Sequence, residues 1–146
     1  MIRISAVIIT LNEEKNIGRC LESLRGVADE IVVVDSLSRD RTREICQSYH
    51  AVFIEQPFLG YVDQKNLGVA RASHNYILAL DADEYLSPEL IESIGQAKQN
   101  PGWQGCSMNR LNAFSGKNIF VGGAYPDKKI RLWDREFGQW AGQGVH

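Results

Sequence analysis

Several features that would settle a protein's class at once are missing from this 146-residue chain. No apolar run approaches the roughly 18 residues that span a bilayer. The opening MIRISAVIITLNEE has neither the basic stretch nor the small-residue cleavage site of a secretory leader, and reads as a first strand. Charge of one sign is lacking too: 16 Lys and Arg against 18 Asp and Glu leave a formal −2, so no global field draws in nucleic acid or an anionic membrane. Cysteine is scarce: Cys20, Cys46 and Cys106 are odd in number, widely spaced and without a CxxC pair. That pattern favours free thiols in a reducing compartment, hence the cytoplasm. The glycine motifs of nucleotide binding are also absent. The turn after the first apolar run is LNEE, so neither the dinucleotide fingerprint nor a GxxxxGK[ST] phosphate loop is present. A bound phosphate would have to be met by a metal ion or by Lys and Arg.

What is there fits one domain, which at this size buries roughly 70% of the surface of its unfolded chain. Four largely β-branched runs recur, Ile4–Thr10, Glu30–Val34, Ala51–Ile54 and Tyr76–Leu80, with little polar alternation. Such strands suit a parallel sheet covered on both faces. Between them lie helical patterns. Ile17, Cys20, Leu21 and Leu24 keep one face after a predicted Asn12 cap, and Ile45, Cys46 and Tyr49 form a stripe after Asp40. A third helix is predicted over Val62–Ala72. The fourth is announced by Ser87, Pro88 and Glu89, presents Leu90, Ile91 and Ile94, and ends at Asn100-Pro101-Gly102. The order βαβαβαβα predicts a Rossmann-like α/β/α sandwich with a mostly parallel sheet. Two more strands are expected over Gln104–Phe114 and Lys129–Asp134.

In open sheets of this kind ligands gather at the carboxyl ends of the strands. Here those ends carry Thr10, Asn12, Glu13 and Glu14, then Asp35, Ser36, Ser38 and Asp40, then Asp81, Asp83 and Glu84. Two residues apart in an extended segment, Asp81 and Asp83 would point the same way and repel unless a cation or protons lay between them. A hard divalent ion suits them, and Mg²⁺ commonly takes one or two carboxylates plus phosphate oxygens. Acidic residues after a strand are also often just a solvated turn, so it is the convergence of several polar strand ends that favours a site.

The segments ITLNEEKNIGRCLESL, VVVDSLSRDRT, QKNLGVARA and ILALDADEYL, in this order, resemble the nucleotide-sugar-binding half of glycosyltransferase family 2, with the GT-A fold. The likeness is dense from Ile4 to about Leu90. GYVDQKN with LDADEYL, followed by YPDKKIRLW and GVH, is similar to bacterial lipopolysaccharide-core β-1,4-glucosyltransferases. The resemblance implies a single GT-A domain over 1–146, with 1–100 the nucleotide-sugar half and 101–146 the incomplete start of an acceptor-side half. It implies that Thr10, Asn12 and Glu13 lie along the nucleoside and that Asp35 accepts a hydrogen bond from uracil or ribose. Lys65 would reach the base or diphosphate. Asp81 would contact ribose or metal-bound water, and Asp83 would hold Mg²⁺ or Mn²⁺. Asn12, Asp40 and Thr42 could equally be helix caps, and Lys65 a solvated helix residue.

The activity implied is transfer of a sugar, with inversion, from a nucleotide-sugar donor, expected to be UDP-linked. The acceptor would be a glycan or glycolipid such as lipopolysaccharide core. No nucleic acid partner is implied, and the location would be the cytoplasm, at the inner face of the membrane through a part of the protein not in this chain. The resemblance implies a carboxylate as general base, near a Val-His-Glu segment of which this chain has Val145-His146, so the base is expected just past His146 or among His146, the catalytic candidate, and Asp127, Asp134 and Glu136. Lys128, Lys129, Arg131 and Arg135 form a basic run that could hold phosphates. Trp133, Phe137 and Trp140 crowd the chain's end, where large apolar groups usually have something to pack against, so a piece of a longer enzyme is expected. One departure stands out: the family commonly has Gly between the two serines after the second strand, and here it is Leu37, which adopts a positive φ only at a cost. A binding domain without turnover is the alternative reading. A phosphohydrolase with Asp81 as nucleophile fares worse, because its DxD usually follows the first strand rather than the fourth.

Overall fold

The computed structural model of the protein describes residues 2–99 and 131–135. The elements run β1 (Ile4–Thr10), α1 (Ile17–Ser23), β2 (Glu30–Asp35), α2 (Thr42–Ser48), β3 (Val52–Glu55), α3 (Tyr61–Arg71), β4 (Tyr76–Ala79), α4 (Pro88–Gln99) and β5 (Arg131–Asp134). The predicted alternation of strand and helix is what forms, with boundaries moved by a residue or two. The other strand expected in the last third, Gln104–Phe114, lies outside the described residues.

The strands make one sheet in the order β3-β2-β1-β4-β5. The first four are parallel, and β5 runs antiparallel to β4. Position in the sheet explains composition. The central β1 is buried at every position except the half-buried Ile9, as expected of a strand covered on both faces. Ile4, Ile8, Ile77 and Leu78 are fully shielded, as are Ile17, Leu21 and Leu24 from the region of α1. Each such side chain contributes about 1.5–3 kcal/mol on leaving water. The helix α3 packs on β1 and β2, and Gly68 makes that approach close: a Cβ there would stand 2.5 Å from Val7 Cγ1.

Three expected caps fare differently. Ser87 does cap α4, its Oγ accepting from the Leu90 N–H at 3.1 Å. Asn12 does not cap α1, whose N-cap is Asn16; the Asn12 Oδ1 instead accepts from the Arg39 N–H at 2.8 Å. Asp40 sits one residue ahead of the α2 N-cap, Arg41, and its Oδ1 accepts from both the N–H and the hydroxyl of Thr42. Asp40 thus serves the start of α2 locally while its Oδ2 accepts from Glu14 N–H across the loops, and Asn12 alone is drawn away from its helix. The loops after β1 and β2 lie side by side, and cross-loop hydrogen bonds compete with local capping.

Strand order decides where a ligand can go. The chain builds outward from β1 through β2 to β3, then returns to place β4 on the other side of β1. The two loops leaving β1 and β4 therefore diverge, and the crevice between them is the switch point of an open α/β sheet.

Candidate functional site

At that crevice a cavity of about 690 Å³ opens, with Thr10, Glu13, Ser36, Lys65, Asp81 and Asp83 as its polar lining. Register brings these together: Thr10 ends β1 directly opposite Asp35 of β2, and Val7 stands opposite Ala79, the last residue of β4. Of the eight residues singled out in the sequence, seven lie within the described residues, and five of these, Thr10, Glu13, Lys65, Asp81 and Asp83, line the cavity. Asp35 lies beneath the wall, 1% exposed. Its Oδ1 accepts from the Thr10 hydroxyl at 2.5 Å and the Ser38 hydroxyl at 2.6 Å, and its Oδ2 from the Ser38 N–H at 2.7 Å. Asn12 is exposed on the rim, its N–H donating to Ser38 Oγ at 2.7 Å. His146, Asp127, Glu136, Lys128 and Lys129 lie outside the described residues.

The loops after β1 and β2 are stitched to each other. Besides the Asn12 contacts, Glu13 N–H donates to Thr42 Oγ1 at 2.8 Å, Glu14 N–H to Asp40 Oδ2 at 3.1 Å, and Arg41 N–H to Glu14 Oε1 at 3.0 Å. Against a burial penalty, the Thr42 hydroxyl and amide and the Glu14 amide hold the Asp40 carboxyl below the usual carboxylate range. Leu37 sits on this bridge with φ of 64°, and Asn12 with 52°. Leucine thus does take up the left-handed conformation, at the cost expected of a residue with a Cβ. The bonds that clamp Ser38 and Arg39 to Asp35 and Asn12 fix the turn, and Leu37 bears the strain with its side chain half exposed.

The acidic segment departs from the extended form expected of it. The strand β4 ends at Ala79, and Ala82 and Asp83 lie in a turn closed by Glu84 N–H donating to Asp81 O at 3.0 Å. Asp81 and Asp83 both face the cavity because of this turn and not through strand alternation. The third carboxylate parts company with them: Glu84 is 1% exposed and turned inward. Lys65 Nζ reaches to 3.9 Å from Asp81 Oδ1. Among the described residues no three His, Cys, Asp or Glu side chains form a metal cage. An ion shared between one or two carboxylates and phosphate oxygens does not need one, so the residues present fit a hard divalent ion.

Sequence reasoning missed the apolar wall. Phe58 and Tyr61 meet edge to face with ring centroids 5.1 Å apart, and both line the cavity while remaining more than half exposed. Two aromatic residues straddling Gly60, which starts α3 at φ of 113°, were the available signal.

Two proposals about the C-terminal segment are corrected. Because β5 is antiparallel to β4, Asp134 stands opposite Tyr76, at the sheet edge away from the cavity, and is no candidate for a base there. Arg135 is spent at the same edge, its N–H donating to Asn75 O at 2.9 Å and its Nη1 to Val69 O at 2.5 Å. The thiols behave as expected of small hydrophobes. Burial pushes both Cys20 and Cys46 up, the latter to about 12, so both are protonated at neutral pH.

A sequence profile described as glycosyl transferase family 2 matches residues 5–139. The chain belongs to glycosyltransferase family 2. Its GT-A architecture agrees: over 92% of this chain and 57% of the other, it superposes with a TM-score of 0.61 and 20% identity on glucosyl-3-phosphoglycerate synthase from Mycobacterium tuberculosis, solved with Mn²⁺, UDP and glucosyl-3-phosphoglycerate. An uncharacterised glycosyltransferase of Rickettsia typhi is 35% identical over 97% of the chain, and the chain spans 49% of that relative's length. The lipopolysaccharide core biosynthesis glycosyltransferase LpsC of Rhizobium meliloti is 43% identical over 61% of this chain and 34% of its own length. The chain thus spans about half, or less, of the family relatives it resembles. Among the described residues no helix of this family 2 chain is long and apolar enough to cross a membrane.

Proposed function

We propose that this chain supplies the donor side of a glycosyltransferase that moves a sugar from a nucleotide-sugar donor, expected to be UDP-linked, to a glycan or glycolipid acceptor such as lipopolysaccharide core. Transfer would be metal-dependent and inverting, at the cytoplasmic face of the membrane. The observation that supports the reading most directly is the cavity at the β1/β4 switch, with Asp81 and Asp83 on its lining and Lys65 within ion-pair distance of Asp81. The family's membership, the UDP and Mn²⁺ in the mycobacterial complex and the name of the Rhizobium relative support the donor, ion and acceptor class in turn.

In this reading Asp83 would hold Mg²⁺ or Mn²⁺, and Asp81 would contact ribose or water on the ion. When bound, the ion supplies a Lewis acid that neutralises charge on the leaving diphosphate. The chain's own groups do the rest. Lys65 adds a positive charge from the helix side of the cavity. Thr10, Glu13 and Asn12 line the path of the nucleoside, and Asp35, buried with both oxygens engaged by Thr10 and Ser38, acts from below by orienting those two residues rather than by meeting uracil or ribose itself. Attack of an acceptor hydroxyl needs a general base within hydrogen-bond reach, and His146 remains the candidate.

Calorimetric titration of UDP with and without Mn²⁺ tests the reading, using the parent chain and Asp83→Ala. The parent is expected to bind UDP at least about tenfold more tightly with Mn²⁺, and Asp83→Ala to lose that difference. Equal affinities in all four titrations would remove the metal-diphosphate assignment.

A further inference from the structure

The carboxylate of Glu84 is buried, and its place in the turn is specific. Its Oε1 accepts from the Asp81 N–H at 2.6 Å, while its own N–H donates to Asp81 O at 3.0 Å. The same Asp81 carbonyl lies 3.8 Å from Cys20 Sγ on α1. Ala82, between the two cavity carboxylates, is 3% exposed and packed into the core. Both backbone groups of Asp81 are therefore held from inside the protein, in the turn that presents Asp81 and Asp83 to the cavity. Three acidic side chains within four positions would repel if all faced the cavity. Turning the third inward takes its oxygens off the cavity surface, and a buried carboxylate is tolerated when hydrogen-bonded to backbone N–H.

We propose that Glu84 is a positioning residue: it reaches back to the Asp81 amide to lock the turn that carries Asp81 and Asp83, and so sets the affinity for the divalent ion and the diphosphate without touching either. The inference rests on the metal-diphosphate reading above. It makes reach, not charge, the property that matters. Glutamine keeps the side-chain length and an acceptor oxygen. Aspartate keeps the charge but is one methylene short.

The test is calorimetry of UDP in the presence of Mn²⁺ on the full chain and on Glu84→Gln, Glu84→Asp and Glu84→Ala, together with amide hydrogen exchange at Asp81 and thermal melts. Glu84→Gln is expected to stay within about threefold of the parent. Glu84→Asp and Glu84→Ala are expected to weaken Mn²⁺-dependent UDP affinity about tenfold, the scale of one lost hydrogen bond, and to speed exchange at Asp81. Should Glu84→Ala fail to fold, the Gln and Asp variants decide. Loss in Gln with retention in Asp, or retention in both, overturns the proposal. If the parent binds UDP with Mn²⁺ and all variants match it, Glu84's role falls and the site reading stands. If the parent shows no Mn²⁺ dependence, both fall.

Discussion

Lys65 Nζ stands 3.9 Å from Asp81 Oδ1, with 12% of the lysine side chain exposed against 44% of the aspartate. The cation is the more sheltered partner, approaching from α3 while the carboxylate stays open to the cavity. A lysine so placed offsets part of the charge on Asp81 and competes with any other cation for it.

The competition gives the first prediction. Lys65→Met should raise affinity for Mn²⁺ alone severalfold, because Asp81 loses a competing charge worth about 1 kcal/mol at this exposure. The same change should weaken UDP binding in the presence of Mn²⁺ by about tenfold, since a positive charge facing the diphosphate is gone. Mn²⁺ titration followed by electron paramagnetic resonance, then UDP calorimetry, measures both. Movement of the two affinities in the same direction contradicts the placement.

Gly68 sets how closely α3 approaches the sheet. Alanine there gains about 1 kcal/mol of helix propensity, but its Cβ would lie 2.5 Å from Val7 Cγ1 and 3.2 Å from Val34 Cγ2. Both neighbours are β-branched and stiff, so overpacking, typically 1–3 kcal/mol, should win. Gly68→Ala is expected to lower Tm by several degrees, and adding Val7→Ala should recover less than it costs alone. Strict additivity of the two changes in a double-mutant cycle would show the contact to be unimportant.

Leu37 holds φ of 64° with 49% of its surface exposed. Left-handed backbone costs a residue with a Cβ about 1–2 kcal/mol, whereas glycine adds about 0.5–1 kcal/mol of unfolded-state entropy. Leu37→Gly should therefore raise stability by up to about 1 kcal/mol, readable as a Tm increase of a few degrees. A lower Tm would mean that the half-buried leucine side chain contributes more than the backbone strain removes.

At the opposite end of the sheet Asp29 accepts from Ile4 N–H at 2.8 Å and Lys98 Nζ at 3.1 Å, and Lys98 also donates to Val27 O at 2.9 Å. Burial alone would raise the Asp29 carboxyl, but the Ile4 amide and the Lys98 ammonium outweigh it and hold the group below its usual value. Glu30 is likewise held down, against burial, by Ser73 N–H and the hydroxyls of Ser5 and Ser73. Depressed carboxyls stabilise the fold fully above their unfolded values, near pH 4, and the contribution is lost as pH falls through the lower folded values. Thermal melts between pH 6 and 2 should show Tm falling below about pH 4, and Asp29→Asn should flatten part of that fall. A slope unchanged by Asp29→Asn would place the acid sensitivity elsewhere.

Much of this was legible along the chain. Near-continuous β-branched runs announced a buried parallel sheet, and Ser87-Pro88-Glu89 announced α4, because those signals are local and nothing distant competes with them. Asn12 is no cap because its partner, Arg39, comes from the adjoining loop, whereas Asp40 keeps a local bond to the Thr42 N–H at the start of α2 and adds one from Glu14 across the loops. Asp134 as an alternative base and Arg135 as part of a phosphate-holding run both turned on the direction of β5, which is not written in its own residues. Its pairing with Tyr76 and the atoms near Asn75 sets it.

By itself the sequence determined the chemistry available: carboxylates after the fourth strand, polar ends on the first two, free thiols and no glycine-rich phosphate loop. Those follow from residue type and short-range periodicity. Tertiary structure alone decided which of them share a cavity, because the return of the chain from β3 to β4 across β1 opens the crevice. It also turned Glu84 into the protein while leaving Asp81 and Asp83 outside, since a carboxylate can be buried where a backbone amide waits to bind it, and no spacing rule reveals where that amide will be.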